Sequence, residues 1–358
     1  MARPGAGGRS VLLVDWLGRG GIAQTTDAWA GELRAAGAPV LIATRPGREL
    51  AATGSRGSGP TGRVAAHRAV VRRAVDLIEE HRPATVVVQN YLAPPLEWPV
   101  LAAARRAGAV VVLVVHNHQP HSWWGGTAAG LGRSLRMADV VVAHSGYVAR
   151  AVSAAVGGRD VVQVPLPVPA DVPRPGDGRA PVDDDRLTAI HFGVLRRDNK
   201  GTRTVLDLAD AGVPGWRFLV VGAGAPAAAP GAEVVPGYVS SAFLLDAVAG
   251  SAASVLPNRS ASQSAAVVLA QALGSVVVTT AVGGVAEQVD DGVTGRLLAR
   301  GAPPAAWRRA LADLADPAAR APLTAEAQRR VWDDHARFAT AVRELARAAL
   351  PRMRQPRS

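Results

Sequence analysis

The chain predicts an α/β protein of two similar halves, each built on a parallel sheet. Three observations carry that prediction. Short, wholly apolar, β-branched runs alternate with longer segments rich in Ala, Leu and Arg. The alternation breaks once, at a proline-rich stretch, and then resumes with the same rhythm. Strands that are apolar on both faces need helices on both sides, which is the setting of parallel sheets.

The first half opens with the strand "VLLVDW" (11–16) and a helix "AQTTDAWAGELRAAG" (23–37) that stops at Gly37. "PVLIATR" (39–45) is the next strand. A Gly/Ser/Arg-rich loop is expected over 51–63, then a helix "HRAVVRRAVDLIEEH" over 67–81 and the strand "ATVVVQN". "PLEWPVLAAARRAG" leads into the strand "AVVVLVVH" (109–116), and "ADVVVAHS" and "DVVQVPLP" complete this half. The run "PLPVPADVPRPGDGRAPVDDD" (165–185) reads as a linker, because repeated prolines cannot join a helix or ladder. Beyond it come the strand "LTAIHFGVL", the helix "GTRTVLDLADAG" and the strand "WRFLVVGAG". "SAFLLDAVAGS", "ASVLPN", "SAAVVLAQALG", "SVVVTT" and "RLLAR" continue the pattern, and arginine-rich helical segments run from about Trp307 onward. The expected domains are 1–170, a linker at 171–186, a second domain at 187–325, and a helical tail at 326–358.

Composition narrows the function classes. With 358 residues and 48% hydrophobic residues, two cores can be buried. The chain has no cysteine, which excludes disulfides, thiolate catalysis and cysteine-ligated zinc. The net charge of +11 suits phosphorylated small molecules, anionic lipid or nucleic acid. Aromatic residues are only 4% and no nucleic-acid module is present, so nucleic acid is not the expected partner. The longest apolar runs fall far short of the ~20 residues a spanning helix requires. Asp15 cuts the first run too short for a signal sequence, so a cytoplasmic location is expected.

Five stretches have the composition of ligand-binding loops. "DWLGRGGIAQ" (15–24) runs from strand to helix, and Gly20 and Gly21 let the backbone approach an anion at a helix start, or simply make the turn. "VVHNHQPHSWW" (114–124) places His116, Asn117, His118 and His121 after a buried strand, where open α/β sheets bind ligands. Their spacing matches no standard metal site, so no metal is expected; hydrogen bonding to a hydroxylated ligand fits better. Trp123 and Trp124 could cover a sugar face, contact lipid or pack in a core. "HFGVLRRDNKG" (191–201) follows a strand with Arg196, Arg197 and Lys200, three cations able to neutralise a diphosphate. Lys200 is the only lysine in a chain that uses arginine at its other basic positions, which points to a need for a compact charge. "VVGAG" and "VVPGYV" bring Gly222, Gly237 and Tyr238 to strand ends. "NRSASQSAAVVLAQALG" (258–274) sets Ser260, Ser262, Gln263 and Ser264 before an apolar helix, as caps or as anion donors. "TTAVGGVAEQV" adds Gly283, Gly284 and Glu287 on a second loop.

Taken in order, these motifs resemble a glycosyltransferase of the GT-B fold, of the large retaining family 4. The most specific is "TTAVGGVAEQVDDGVTGRLL", with Ala286 where the family usually has proline. "HNHQPH" and "PNRSASQSA" resemble a branch that lacks the family's paired glutamates; here Ala261 and Leu269 occupy the matching places. The resemblance implies two Rossmann-like domains with parallel sheets facing a central cleft, and a final helix that crosses back to the first domain. It implies transfer of a hexosyl group from a UDP- or GDP-linked sugar to a hydroxyl acceptor, with retention and without metal or resident cofactor. By the same resemblance Gly20 and Gly21 approach the phosphates, and His116 meets the donor sugar near the reacting carbon. Arg196 or Arg197 grips the diphosphate with Lys200, while Ser262, Gln263 and Ser264 replace the glutamate loop and Glu287 organises the second loop or binds the donor directly. Asn117, His118 and His121 face the acceptor. Arginine-rich helices permit peripheral contact with an inner membrane surface. A catalytically silent binding subunit and a sugar-nucleotide epimerase stay open as rivals, although an epimerase normally wants a carboxylate pair that the sequence does not offer.

Overall fold

The computed structural model describes residues 10–18, 20–45, 60–89, 94–117, 128–174, 187–195 and 198–349. They form two compact units. The first groups the chain up to Ala170 with the residues from His335 onward; the second holds Asp171–Asp334.

The first unit contains β1 (Val11–Asp15), α1 (Gly20–Ala35), β2 (Val40–Thr44), α2 (Pro60–His81) and β3 (Thr85–Gln89). It continues with α3 (Pro94–Arg106), β4 (Val110–Val115), α4 (Ala128–Met137), β5 (Val140–Ala143), α5 (Gly146–Ala155) and β6 (Val162–Gln163). The strands pair in parallel in the order β2-β1-β3-β4-β5-β6. The order reverses between β1 and β3, so the connections leave the sheet in opposite directions there. One face buries Leu12, Val86 and Leu113 against Ile78, Leu101 and Leu135. The other buries Leu13, Val87 and Val114 against Trp29, Leu33, Phe338 and Val342. Alternating residues of one strand thus fill two cores, which explains the unbroken apolar runs.

The second unit contains β7 (Leu187–Phe192), α6 (Thr202–Ala211), β8 (Trp216–Gly222), β9 (Ala232–Pro236), α7 (Ser241–Ala249) and β10 (Ala253–Leu256). After these come α8 (Ala265–Ala272), β11 (Val276–Thr280), β12 (Arg296–Leu298), α9 (Pro304–Asp313) and α10 (Pro317–Ala349). The order is β12-β11-β10-β7-β8-β9, again all parallel, with the reversal between β7 and β10. Phe218, Val255 and Val278 pack with Leu208, Trp307 and Leu311 on one face.

Four elements differ from the sequence expectation. The helix expected from 67 starts at Pro60, inside the expected loop; proline suits a first helical turn, whose N–H has no partner anyway. The strand expected over "DVVQVPLP" pairs only at Val162–Gln163, because Pro165 and Pro167 have no N–H to continue the ladder. α4 had no sequence counterpart, since Gly130 and Gly132 weaken its helical signal. α10 begins at Pro317, nine residues before the expected tail, with Asp316 Oδ1 accepting from Ala318 N at 2.8 Å and Pro322 accommodated inside. Its last residues pack on α1: Trp29 and Phe338 meet edge to face at 5.9 Å, and Arg343 pairs with Glu32. The linker region through Arg174 has neither helix nor strand.

Candidate active site

In a parallel sheet the loops after the carboxyl ends of the strands converge, and a ligand finds most room where the strand order reverses. In the second unit that place lies beyond β7 and β10. β7 ends at Phe192 and Gly193 follows; Leu195 N then donates to Ala223 O (2.8 Å), tying this loop to the one after β8. Gly222 ends β8 with φ 142°, and a Cβ there would sit 1.9 Å from Gly193 O, so no side chain fits. Gly237 N reaches Gly222 O at 3.1 Å and brings in the loop after β9, which carries half-buried Tyr238.

On the other side of β7, Asp198–Lys200 form a single 3-10 turn before α6. This turn is anchored twice to the loop after β10. Arg259 N donates to Asn199 O (2.8 Å) and Asn199 Nδ2 donates to Ser260 O (3.3 Å). Gly201 closes the turn with φ 64°, against Pro257. Lys200 is therefore held between two fixed neighbours at the switch point. Behind it stands His191, fully buried: its Nδ1–H donates to Val255 O (2.8 Å) and its Nε2 accepts from Thr202 Oγ1 (3.1 Å). Burial lowers the His191 pKa to about 4, the Val255 bond opposes this, and the nearby Lys200 charge adds to the lowering.

The loop after β10 is in turn fastened to the loop after β11. Gly284 N donates to Ala261 O at 3.2 Å. Gln288 grips the backbone of Ser264 from both sides, accepting from its N–H (2.8 Å) and donating to its carbonyl (3.2 Å). Gln271 Nε2 donates to Gln288 O, and Arg330 Nη2 donates to Glu287 O at 2.8 Å. Ser264 Oγ caps α8 through Val267 N at 3.4 Å, and Ser262 is buried beside it. Leu269, where a paired glutamate would stand, is 4% exposed inside α8. Two amide oxygens on this rim, Asn199 Oδ1 and Gln263 Oε1, are buried with no partner among the described residues. Both are acceptors, so they suit hydroxyl or N–H groups rather than phosphate.

The structure thus brings Lys200, Gly222, Gly237, Tyr238, Ser262, Gln263, Ser264, Gly283, Gly284 and Glu287 to the carboxyl-edge loops of one sheet. Arg196 and Arg197 lie outside the described residues. In the first unit, Asp15 Oδ1 accepts from Leu17 N and Gly18 N, both at 2.9 Å, shaping the turn that delivers exposed Gly20 and Gly21 to the start of α1. His116 follows β4, buried, with half-buried Asn117 next to it; His118, His121, Trp123, Trp124 and the acidic run 183–185 lie outside the described residues. His116 Nε2 is 3.0 Å from Gln89 Oε1 at the end of β3, and its ring lies 4.9 Å from that of His144 at the end of β5. Burial, then the charge of His144, pushes His116 well below the ordinary histidine pKa.

Sequence reasoning missed Gln89, His144, His191, Asn199 and Gln288 as positioning groups. The first three are polar residues at or near the carboxyl ends of apolar strands, a signal that was available. It also missed His67 and Glu97, buried 3.4 Å apart below Trp16. Among the described residues no group of three or more His, Asp or Glu side chains could hold a metal, and no helix is long and apolar enough to cross a membrane. A cavity of about 320 Å³ lined by Thr188, Arg217 and Glu233 opens at the amino-terminal end of the second sheet, away from these loops.

Residues 19–172 match the family Glycosyltransferase Family 4, and residues 186–316 match the family Glycosyl transferases group 1. No curated protein sequence matches the chain. Among solved structures, HepE of Anabaena in complex with UDP-glucose is similar at 16% identity and TM-score 0.69, over 96% of this chain and 99% of its own. A glycosyltransferase from Rickettsia africae is similar at 15% identity and TM-score 0.74, covering 96% and 99%. Sucrose-phosphate synthase from Thermosynechococcus elongatus is similar at 16% identity and TM-score 0.72, covering 95% and 98%. With two doubly wound parallel sheets and these matches along most of its length, the chain belongs to the GT-B glycosyltransferases of the family 4 type.

Proposed function

We propose that the protein transfers a hexosyl group from a nucleotide diphosphate sugar to a hydroxyl acceptor with retention of configuration. The observation that carries this is the Lys200 turn, pinned at the switch point of the second sheet by Asn199 and Gly201. A fixed cation there stabilises charge that develops on a departing diphosphate without having to reorganise at the moment of reaction. Arg196 or Arg197 adds a forked donor to the same phosphates. The leaving phosphate can take the acceptor's proton, so no carboxylate pair is needed. Gln263, and Asn199 with it, offers acceptor oxygens to sugar hydroxyls where relatives use glutamates. Gly20 and Gly21 approach the phosphates, His116 meets the transferred sugar, and Asn117, His118 and His121 face the acceptor. The HepE complex supports a UDP-linked donor as the first to test. The positive charge allows peripheral contact with an anionic membrane carrying a lipid-linked acceptor.

The test is a transfer assay across UDP- and GDP-sugars with a panel of hydroxyl acceptors, the product anomer read by NMR. Lys200→Ala is expected to abolish transfer while circular dichroism stays unchanged. Unchanged turnover in that variant removes the mechanism, and an inverted product removes retention.

A further inference from the structure

Three polar side chains close the carboxyl ends of three adjacent strands in the first unit: Gln89 on β3, His116 after β4 and His144 after β5. All are buried. Their hydrogen bonds dictate where the protons sit. His144 Nδ1 lies 2.9 Å from Val164 O, and a carbonyl only accepts, so the proton is on Nδ1 and Nε2 keeps a bare lone pair. His116 Nε2 lies 3.0 Å from Gln89 Oε1, and the same rule puts its proton on Nε2. Gln89 Nε2 and His144 Nε2 are both buried without a partner among the described residues, and one is a donor while the other is an acceptor.

We infer that Gln89 is a positioning residue that holds His116 as the neutral Nε2–H tautomer, so that His116 presents Nδ1 as a hydrogen-bond acceptor. A ligand hydroxyl then donates to His116. This rests on the reading of His116 as the residue that meets the sugar, and it deepens that reading: the imidazole recognises a hydroxyl, not the negative charge of a phosphate. Burial acts in the same direction, since desolvation disfavours the imidazolium.

The test is long-range ¹H–¹⁵N NMR of the full chain labelled with ¹⁵N-histidine at pH 7, with the His116 signals assigned by their loss in His116→Asn. A neutral ring protonated at Nε2 is expected. A ring protonated at Nδ1, or an imidazolium, overturns the inference. In Gln89→Leu the tautomer preference should disappear, and turnover should fall about tenfold with little change in donor KM, the scale of one hydrogen bond. Gln89→Glu, which keeps an acceptor, should restore the Nε2–H signature and most of the turnover. A Gln89→Leu protein with an unaltered His116 tautomer also overturns it. Full transfer activity in His116→Asn would instead sink the role given to His116, a result separate from the tautomer measurement.

Discussion

Gly201→Ala isolates the contact that fixes Lys200. Gly201 has φ 64°, and a Cβ built on it would stand 2.0 Å from Pro257 O and 3.0 Å from Pro257 C. Both are backbone atoms that cannot rotate away. A left-handed alanine costs ~1–2 kcal/mol by itself. Opening the contact to a tolerable ~3.2 Å then parts the two loops by more than ~1 Å, an overpacking cost of ~1–3 kcal/mol. That parting strains the Asn199–Arg259 and Asn199–Ser260 hydrogen bonds. The total is on the order of 2–5 kcal/mol. Gly212→Ala is the control: φ is 70° and ψ 145°, and nothing lies within 4 Å of its Cβ, so only the backbone cost of ~1–3 kcal/mol applies. Urea unfolding followed by the fluorescence of Trp216 and Trp307 gives both values, and nucleotide titration gives the functional one. A displacement near 1 Å at a catalytic cation should cost at least ~10-fold in turnover in Gly201→Ala and leave Gly212→Ala active. Equal destabilisation in the two variants would refute the claim that the Pro257 approach holds the turn.

Three further outcomes follow from the same geometry. His191 is the only histidine in the second unit, and its pKa falls from 6.5 to about 4 on folding; its contribution is present above pH 6.5 and lost as pH drops toward 4. His191→Gln should therefore flatten the stability–pH slope in that window by ~1.4 kcal/mol per pH unit, read from urea midpoints. Gln288→Leu removes both bonds to the Ser264 backbone and should destabilise the second unit by ~2 kcal/mol and raise donor KM; unaltered stability and KM would show that the loops do not depend on it. Leu269→Glu, which restores a family glutamate, places a carboxylate where the side chain is 4% exposed and should lower stability by ~2–4 kcal/mol without improving donor binding.

The sheets were legible because their strands are buried on both faces, so "VLLV" and "VVVLVV" carry no polar residue to blur the signal. The ends of elements were less so. Proline caused most of the misjudgement: it begins α2 and α10, sits inside α10 as Pro322, and ends β6, and sequence alone does not say which role applies. The candidate site was legible as a set of loops, since glycines and cations after strands mark the carboxyl edge. What holds those loops was not. Asn199, Gln288 and His191 act through contacts with residues 24 to 64 positions away, and no local spacing announces such bonds. The loss of the paired glutamates also looks different in three dimensions: Leu269 has joined the core, while the amide oxygen of Gln263 waits on the rim.

The central claim is that the turn carrying Lys200 receives the diphosphate of the donor. The most direct measurement is a crystal structure of the protein with the nucleotide sugar that the transfer assay selects. The account predicts both phosphates at the loops after β7 and β10, within hydrogen-bonding distance of Lys200 Nζ. Phosphates bound at the amino-terminal cavity beside Arg217, or anywhere that leaves Lys200 in solvent, would contradict it.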